Sequence, residues 1–214
     1  MYRSLSFALI FISFIGTSPA LAQDAKAKSI LEAASQKMKS LKTLKANFSL
    51  KLLGAAGKVK DTQKGTFIMK GNKYHITLKN QEIICDGTTV WTFMKDANEV
   101  QISKYNPEEQ SISPTKLFTN FYDKEYTYHY MGTRIVSSKS CNLIEMNPNR
   151  TKQFSKVELA FDKTNTIAGG TISEKNGNQY QYEVSGFIPN AALTDSQFSF
   201  NPKEHPGVEV VDLR

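Results

Sequence analysis

The chain has 214 residues, 40% of them hydrophobic and 22% charged, and 27 Lys plus Arg stand against 20 Asp plus Glu for a formal net charge of +7. A mean hydropathy of -0.40 excludes a polytopic membrane protein, and 13 Phe, 9 Tyr and 1 Trp exclude a disordered or collagen-like chain. Two cysteines are too few for a disulfide-rich scaffold or a four-cysteine zinc site, so the fold must rest on buried apolar area.

Residues 1–22 read as a secretory signal peptide. Arg3 precedes an apolar stretch from Leu5 to Gly16, broken by Ser6 and Ser13, and Ala20-Leu21-Ala22 before Gln23 is a small-x-small cleavage site. The stretch is too short to span a bilayer, and no cysteine follows the cut to carry a lipid anchor. The expected product is one soluble domain, residues 23–214, in an oxidising compartment outside the cytoplasm. Two arrangements are open to Cys85 and Cys141: a disulfide, adding on the order of 4 kcal/mol for a loop of this length, or two separate buried thiols.

Lys28 to Leu41 place Ile30, Leu31, Ala34, Met38 and Leu41 at helical spacing, which predicts an amphipathic helix. At Leu44 the period changes to two. Leu44, Ala46, Phe48, Leu50 and Leu52 share one face, and Lys45, Asn47, Ser49 and Lys51 the other. Further strands are expected at 65–70, 73–79, 82–85, 88–94 and 99–105, separated by Gly71-Asn72, Asn80-Gln81, Asp86-Gly87 and Asp96-Ala97-Asn98. Connections this short join antiparallel neighbours. Asn106 to Lys124 reads as a loop and a short helix exposing Leu117, Phe118 and Phe121. Strands then resume at 126–131, 141–146, 154–161, 166–174, 179–185 and 197–200. The layout predicts a mainly β (α+β) fold, an open antiparallel β half-barrel of about eleven strands with a concave apolar face covered by helices.

No catalytic constellation emerges. His75, His129 and His205 are far apart, and none has a carboxylate or cysteine at metal-ligand spacing. There is no G-x-S-x-G, H-E-x-x-H or P-loop, and Gly169-Gly170 falls inside a strand pattern. No enzyme activity, metal or cofactor is expected. The supply of large apolar side chains is more informative. Phe48, Phe67, Met69, Tyr74, Ile76, Trp91, Phe93, Tyr128, Phe161, Tyr180 and Phe198 are inward candidates that either close on one another as a core or line a cavity.

Gly65-Thr66-Phe67-Ile68-Met69-Lys70, a following strand, and then Cys85-Asp86-Gly87-Thr88-Thr89-Val90-Trp91-Thr92-Phe93 resemble the signature of the LolA-like periplasmic lipoprotein carriers. Lys152-Gln153-Phe154, the turn from Asp162 to Ile167, and Phe198-Ser199-Phe200-Asn201-Pro202 leading to Gly207-Val208-Glu209-Val210 resemble that family's closing strands. The resemblance covers nearly the whole mature chain in order. It implies a non-enzymatic, monomeric periplasmic carrier that takes lipoprotein acyl chains from an inner-membrane release complex and passes them to an outer-membrane receptor. A lipid- or lipoprotein-sensing envelope regulator of the same fold is the alternative. The implied acyl-binding residues are Phe48, Leu50, Phe67, Met69, Tyr74, Ile76, Trp91 and Phe93, with Leu117, Phe118 and Phe121 as a lid. Where the best-known members have an Arg-Pro pair that tethers the lid, this chain has Lys70-Gly71-Asn72-Lys73, which makes Lys70 the nearest substitute, although an ammonium does not reproduce a guanidinium fork.

The charge is unevenly placed. Residues 23–80 hold 13 Lys against Asp24, Glu32 and Asp61, a balance of +10, and residues 81–214 a balance of -4. Nucleic acid is an implausible partner for a secreted chain. The basic segment is expected at one rim of the cavity, as a solvated strand face or a dock for anionic headgroups or an acidic protein.

Overall fold

The computed structural model describes residues 19–106, 126–149 and 154–214. Among these residues helix α1 (Pro19–Ser40) precedes twelve strands. The first six are β1 (Thr43–Leu53), β2 (Val59–Lys70), β3 (Lys73–Thr77), β4 (Gln81–Cys85), β5 (Thr89–Met94) and β6 (Glu99–Lys104). The next five are β7 (Tyr126–Val136), β8 (Lys139–Pro148), β9 (Phe154–Phe161), β10 (Ile167–Glu174) and β11 (Gln179–Pro189), and β12 (Glu209–Asp212) ends the chain. All twelve form one open sheet in the order β12-β6-β5-β4-β3-β2-β1-β11-β10-β9-β8-β7. The fold is therefore two antiparallel meanders, β1 to β6 and β7 to β11, joined where β1 pairs with β11. The short polar turns produce the antiparallel neighbours expected of them.

One face of the sheet lies under α1. Ala27, Ile30, Leu31, Ala34 and Met38 form the buried stripe of the helix and pack with Leu44, Ala46, Met69, Tyr74, Ile144 and Leu159. The helix starts well before the expected Lys28, in an alanine-rich stretch whose helix propensity extends the amphipathic segment backwards. Its C-terminal turn is tied to the β9–β10 turn, because Lys37 Nζ donates to the Thr164 carbonyl at 2.8 Å and to Thr166 Oγ1 at 2.6 Å. Lys26 Nζ lies 3.9 Å from the centroid of the Tyr130 ring on β7, a cation–π contact.

The expected strand at 197–200 is absent. Residues Asp195–Phe198 form a 3-10 turn, and the Gln197 side chain accepts from the Thr194 N–H at 2.9 Å at its start. Alternating apolar residues in this segment mark a strap that crosses the outer face of the sheet. Thr43 Oγ1 donates to the Ala191 carbonyl at 2.6 Å where the strap leaves β11. Phe200 then packs on Phe93, with ring centroids 5.2 Å apart, and stacks on His205 at 4.6 Å. The chain finally enters the sheet as β12, parallel to β6, an arrangement that a crossover of this length permits and a hairpin does not.

Beside the strap, Glu82 on β4 is held by His75 Nε2 at 3.0 Å and Lys95 Nζ at 2.8 Å, and His75 Nδ1 lies 2.9 Å from the Gln197 carbonyl. The hydrogen bond from His75, with Lys95 adding to it against the cost of burial, lowers the Glu82 pKa from 4.5 to about 2. A carboxylate whose folded pKa is depressed stabilises the fold above its unfolded pKa, and that contribution disappears as pH falls toward the folded value. Unfolding free energy should therefore drop between pH 4.5 and about 2, by on the order of 3 kcal/mol from this group. Glu82→Gln should flatten that segment of a urea-denaturation pH profile, and an unchanged slope would contradict the assignment.

Candidate functional site

Among the described residues, the helix-covered face is not filled along its whole length. Where β1 and β11 run out from under α1, the register pairs Phe48 with Val184, Leu50 with Tyr182 and Leu52 with Tyr180. These rows and their neighbours enclose an apolar cavity of about 280 Å³, lined by Ala46, Phe48, Leu50, Phe67, Ile76, Leu78, Ile83, Ile172, Tyr180, Tyr182 and Val184. Among the described residues, no lining side chain is charged. The volume falls just below the usual range for small-molecule pockets.

Two glycines set the shape of its walls. A Cβ at Gly65 would stand 2.6 Å from Phe48 Cζ and 2.5 Å from the Thr77 carbonyl oxygen, so the Phe48 ring can lie over its cross-strand partner only because that partner is glycine. The same arrangement recurs across the cavity, where a Cβ at Gly170 would stand 2.7 Å from the Tyr182 hydroxyl. That hydroxyl is buried without a hydrogen-bond partner among the described residues, and desolvation raises its pKa. Leaving a phenol unpaired in an apolar wall costs about 1–3 kcal/mol.

Of the residues expected at the site, the structure brings Phe48, Leu50, Phe67 and Ile76 together around this cavity. Met69 and Tyr74 share the face but are 3% and 1% exposed, sealed beneath the helix as plain core. Trp91 and Phe93 require a correction. Strand side chains alternate between faces, and on β5 it is Val90 that joins the helix-covered core. Trp91 and Phe93 point to the outer face, where they pack with Ile84, Val100, Phe200 and Val208 beneath the strap. Leu117, Phe118 and Phe121 lie outside the described residues.

Lys70 is corrected by the same parity. Phe67 and Met69 face the helix, so Lys70 faces outward, where its Nζ donates to Asp195 Oδ1 of the strap at 3.2 Å. Lys73 reaches the same oxygen at 2.9 Å, and the two ammonium groups hold the Asp195 carboxyl below its ordinary pKa. The basic strands likewise present lysine to the outer face rather than to the cavity rim. Cys85 and Cys141 are free, buried thiols. They belong to separate clusters on strands seven positions apart in the sheet, and burial raises both pKa values.

The residues not expected from sequence are Leu78, Ile83, Ile172, Tyr182 and Val184. The alternation Gln179-Tyr180-Gln181-Tyr182-Glu183-Val184 marks two of them, Tyr182 and Val184, but which face this strand turns to β1 depends on a pairing between distant segments. Among the described residues no helix is long and apolar enough to cross a membrane, and no group of three His, Cys, Asp or Glu side chains is placed to hold a metal ion.

The family model described as outer membrane lipoprotein carrier protein LolA matches residues 39–201. An outer-membrane lipoprotein carrier protein of Shewanella pealeana is 24% identical over 169 residues, covering 77% of each chain. That of Xanthomonas campestris pv. campestris is 25% identical over 185 residues, covering 81% of this chain and 83% of its own. Among solved structures, an uncharacterized conserved protein from Thermus thermophilus superposes with a TM-score of 0.59 at 12% identity, covering 87% of this chain and 99% of its own, a likeness of fold.

Proposed function

Because the chain belongs to the family of the outer membrane lipoprotein carrier protein LolA, we propose that it holds lipoprotein acyl chains in the cavity between β1, β11 and their neighbours. The observation that carries this reading is an apolar cavity of about 280 Å³ on the helix-covered sheet face, with no charged side chain among its described lining residues. Residues 1–22 are removed on export, and the mature protein works in the periplasm, accepting lipoproteins from an inner-membrane release complex and delivering them to an outer-membrane receptor.

The protein acts by binding, with no covalent step. Each acyl methylene moved from water into the cavity contributes about 0.8 kcal/mol. The cavity shelters only part of a chain, which keeps affinity moderate and transfer reversible. Purified mature protein should take up a fluorescent acyl probe, and unlabelled fatty acid should displace it. A protein that leaves the probe in water would overturn the carrier reading.

A further inference from the structure

Reaching the opposite face of the same strands is a second cleft of about 650 Å³, whose lining adds polar and charged side chains to Phe48, Gly65 and Leu78. Its floor is two cross-strand rows. Thr77, Thr66, Asn47 and Ser185 form one row across β3, β2, β1 and β11, and Lys64, Ser49 and Glu183 form the next. Lys64 ends the second row and Lys79 lies two residues beyond Thr77, and neither side chain has an ion pair or hydrogen bond among the described residues. The one carboxylate, Glu183, accepts from Ser137 Oγ at 2.7 Å and lies two strands from Lys64. The cleft thus offers hydroxyls, an amide and two uncommitted ammonium groups.

The cleft and the cavity meet at a notch in the sheet. The β2–β3 ladder ends at the Thr66–Thr77 pair, while β2 continues to Val59 with no partner on that side among the described residues. Phe48 and Leu78, at the edge of the gap, line both the cavity and the cleft. Between them is Gly65, where a Cβ would stand 2.6 Å from Phe48 and 3.0 Å from Leu78. Any side chain at this position would have to displace the two residues that cavity and cleft share.

We propose that cavity and cleft are one amphipathic site, occupied by a ligand whose acyl chain lies on the helix-covered face and whose anionic phosphate-ester headgroup lies beside Lys64 and Lys79. The acyl half of this assignment rests on the carrier reading. The headgroup half rests on the notch and the lysines. Exposed charge pairs contribute modestly, so the two lysines together should favour an anionic head by about tenfold, roughly 1.4 kcal/mol, with the preference fading as salt rises.

The test compares two amphiphiles of equal chain length, dodecyl phosphate and dodecyl maltoside, titrated below micelle formation into mature protein at low ionic strength. Dodecyl phosphate should bind about tenfold more tightly. The double variant Lys64→Ser/Lys79→Ser, altered only at exposed positions, should lose that preference and keep its maltoside affinity. Equal binding of the two amphiphiles, or a phosphate preference that survives the double substitution, overturns the headgroup assignment and leaves the carrier reading standing. Binding of neither overturns both.

Discussion

Leu50→Asp is expected to lower acyl-probe affinity by about 100-fold or more while the protein stays folded. Leu50 is half-buried in the cavity wall, directly opposite Tyr182, and no lining side chain carries a positive charge. An acyl chain seated there would bury the new carboxylate without a partner, at a cost of several kcal/mol; about 2.7 kcal/mol already corresponds to 100-fold. In the unliganded protein the same carboxylate can remain hydrated, so the effect falls on binding. Trp91→Ala, on the outer face, should leave affinity within about twofold of the parent. Equal losses in the two variants would contradict the assignment of faces.

Phe200→Ala should cost about 3–5 kcal/mol of stability, read as a shift in the urea midpoint at constant slope. Phe200 is 8% exposed and is the link between strap and sheet: it contacts Phe93, stacks on His205 and closes the cluster containing Ile84 and Val100. Its removal leaves a gap over two strands and loosens the approach to β12. For a domain of this size the loss corresponds to roughly 10 °C in melting temperature. A shift of a degree or two would mean that the strap lies loosely on the outer face and contributes little.

Local signals in the sequence carried most of the architecture. The change of period at Leu44 marks the end of the helix and the start of β1, and the Asn-, Asp- and Gly-containing turns delimit the antiparallel meanders. What local pattern does not encode is which residues meet across distant pairings. β1 pairs with β11, well over a hundred residues away, and this juxtaposition places Leu50 against Tyr182 and creates the far wall of the cavity. The two faces of β5 are equally ambiguous from sequence, because Val90 and Trp91 are both apolar and both end up covered, one by α1 and the other by the strap. The strap hides for a related reason. Phe198 and Phe200 alternate with polar residues as strand residues do, yet they reach their burial from a 3-10 turn and an irregular segment laid across the sheet. Lys70 shows how one residue of parity decides a role, since its neighbour Met69 faces the helix and Lys70 itself faces the strap.

The positive charge of β1 and β2 also gains a location. Lys45, Lys51, Lys64 and Lys70 alternate with the apolar positions of β1 and β2 and therefore occupy the outer face. The apolar cavity is thus backed, through one thickness of sheet, by a basic polar surface. This is the reverse of a charged rim around a greasy mouth, and it is why the notch at Gly65 matters to an amphipathic cargo.

The most direct test of the proposed carrier function is release of a newly acylated lipoprotein from inner-membrane vesicles, with mature protein added or omitted. The account predicts that lipoprotein appears in the supernatant in stoichiometric complex with the wild-type protein and remains in the vesicles when Leu50→Asp is supplied instead. Lipoprotein that stays in the membrane with wild-type protein, or that leaves equally well with Leu50→Asp, would contradict it.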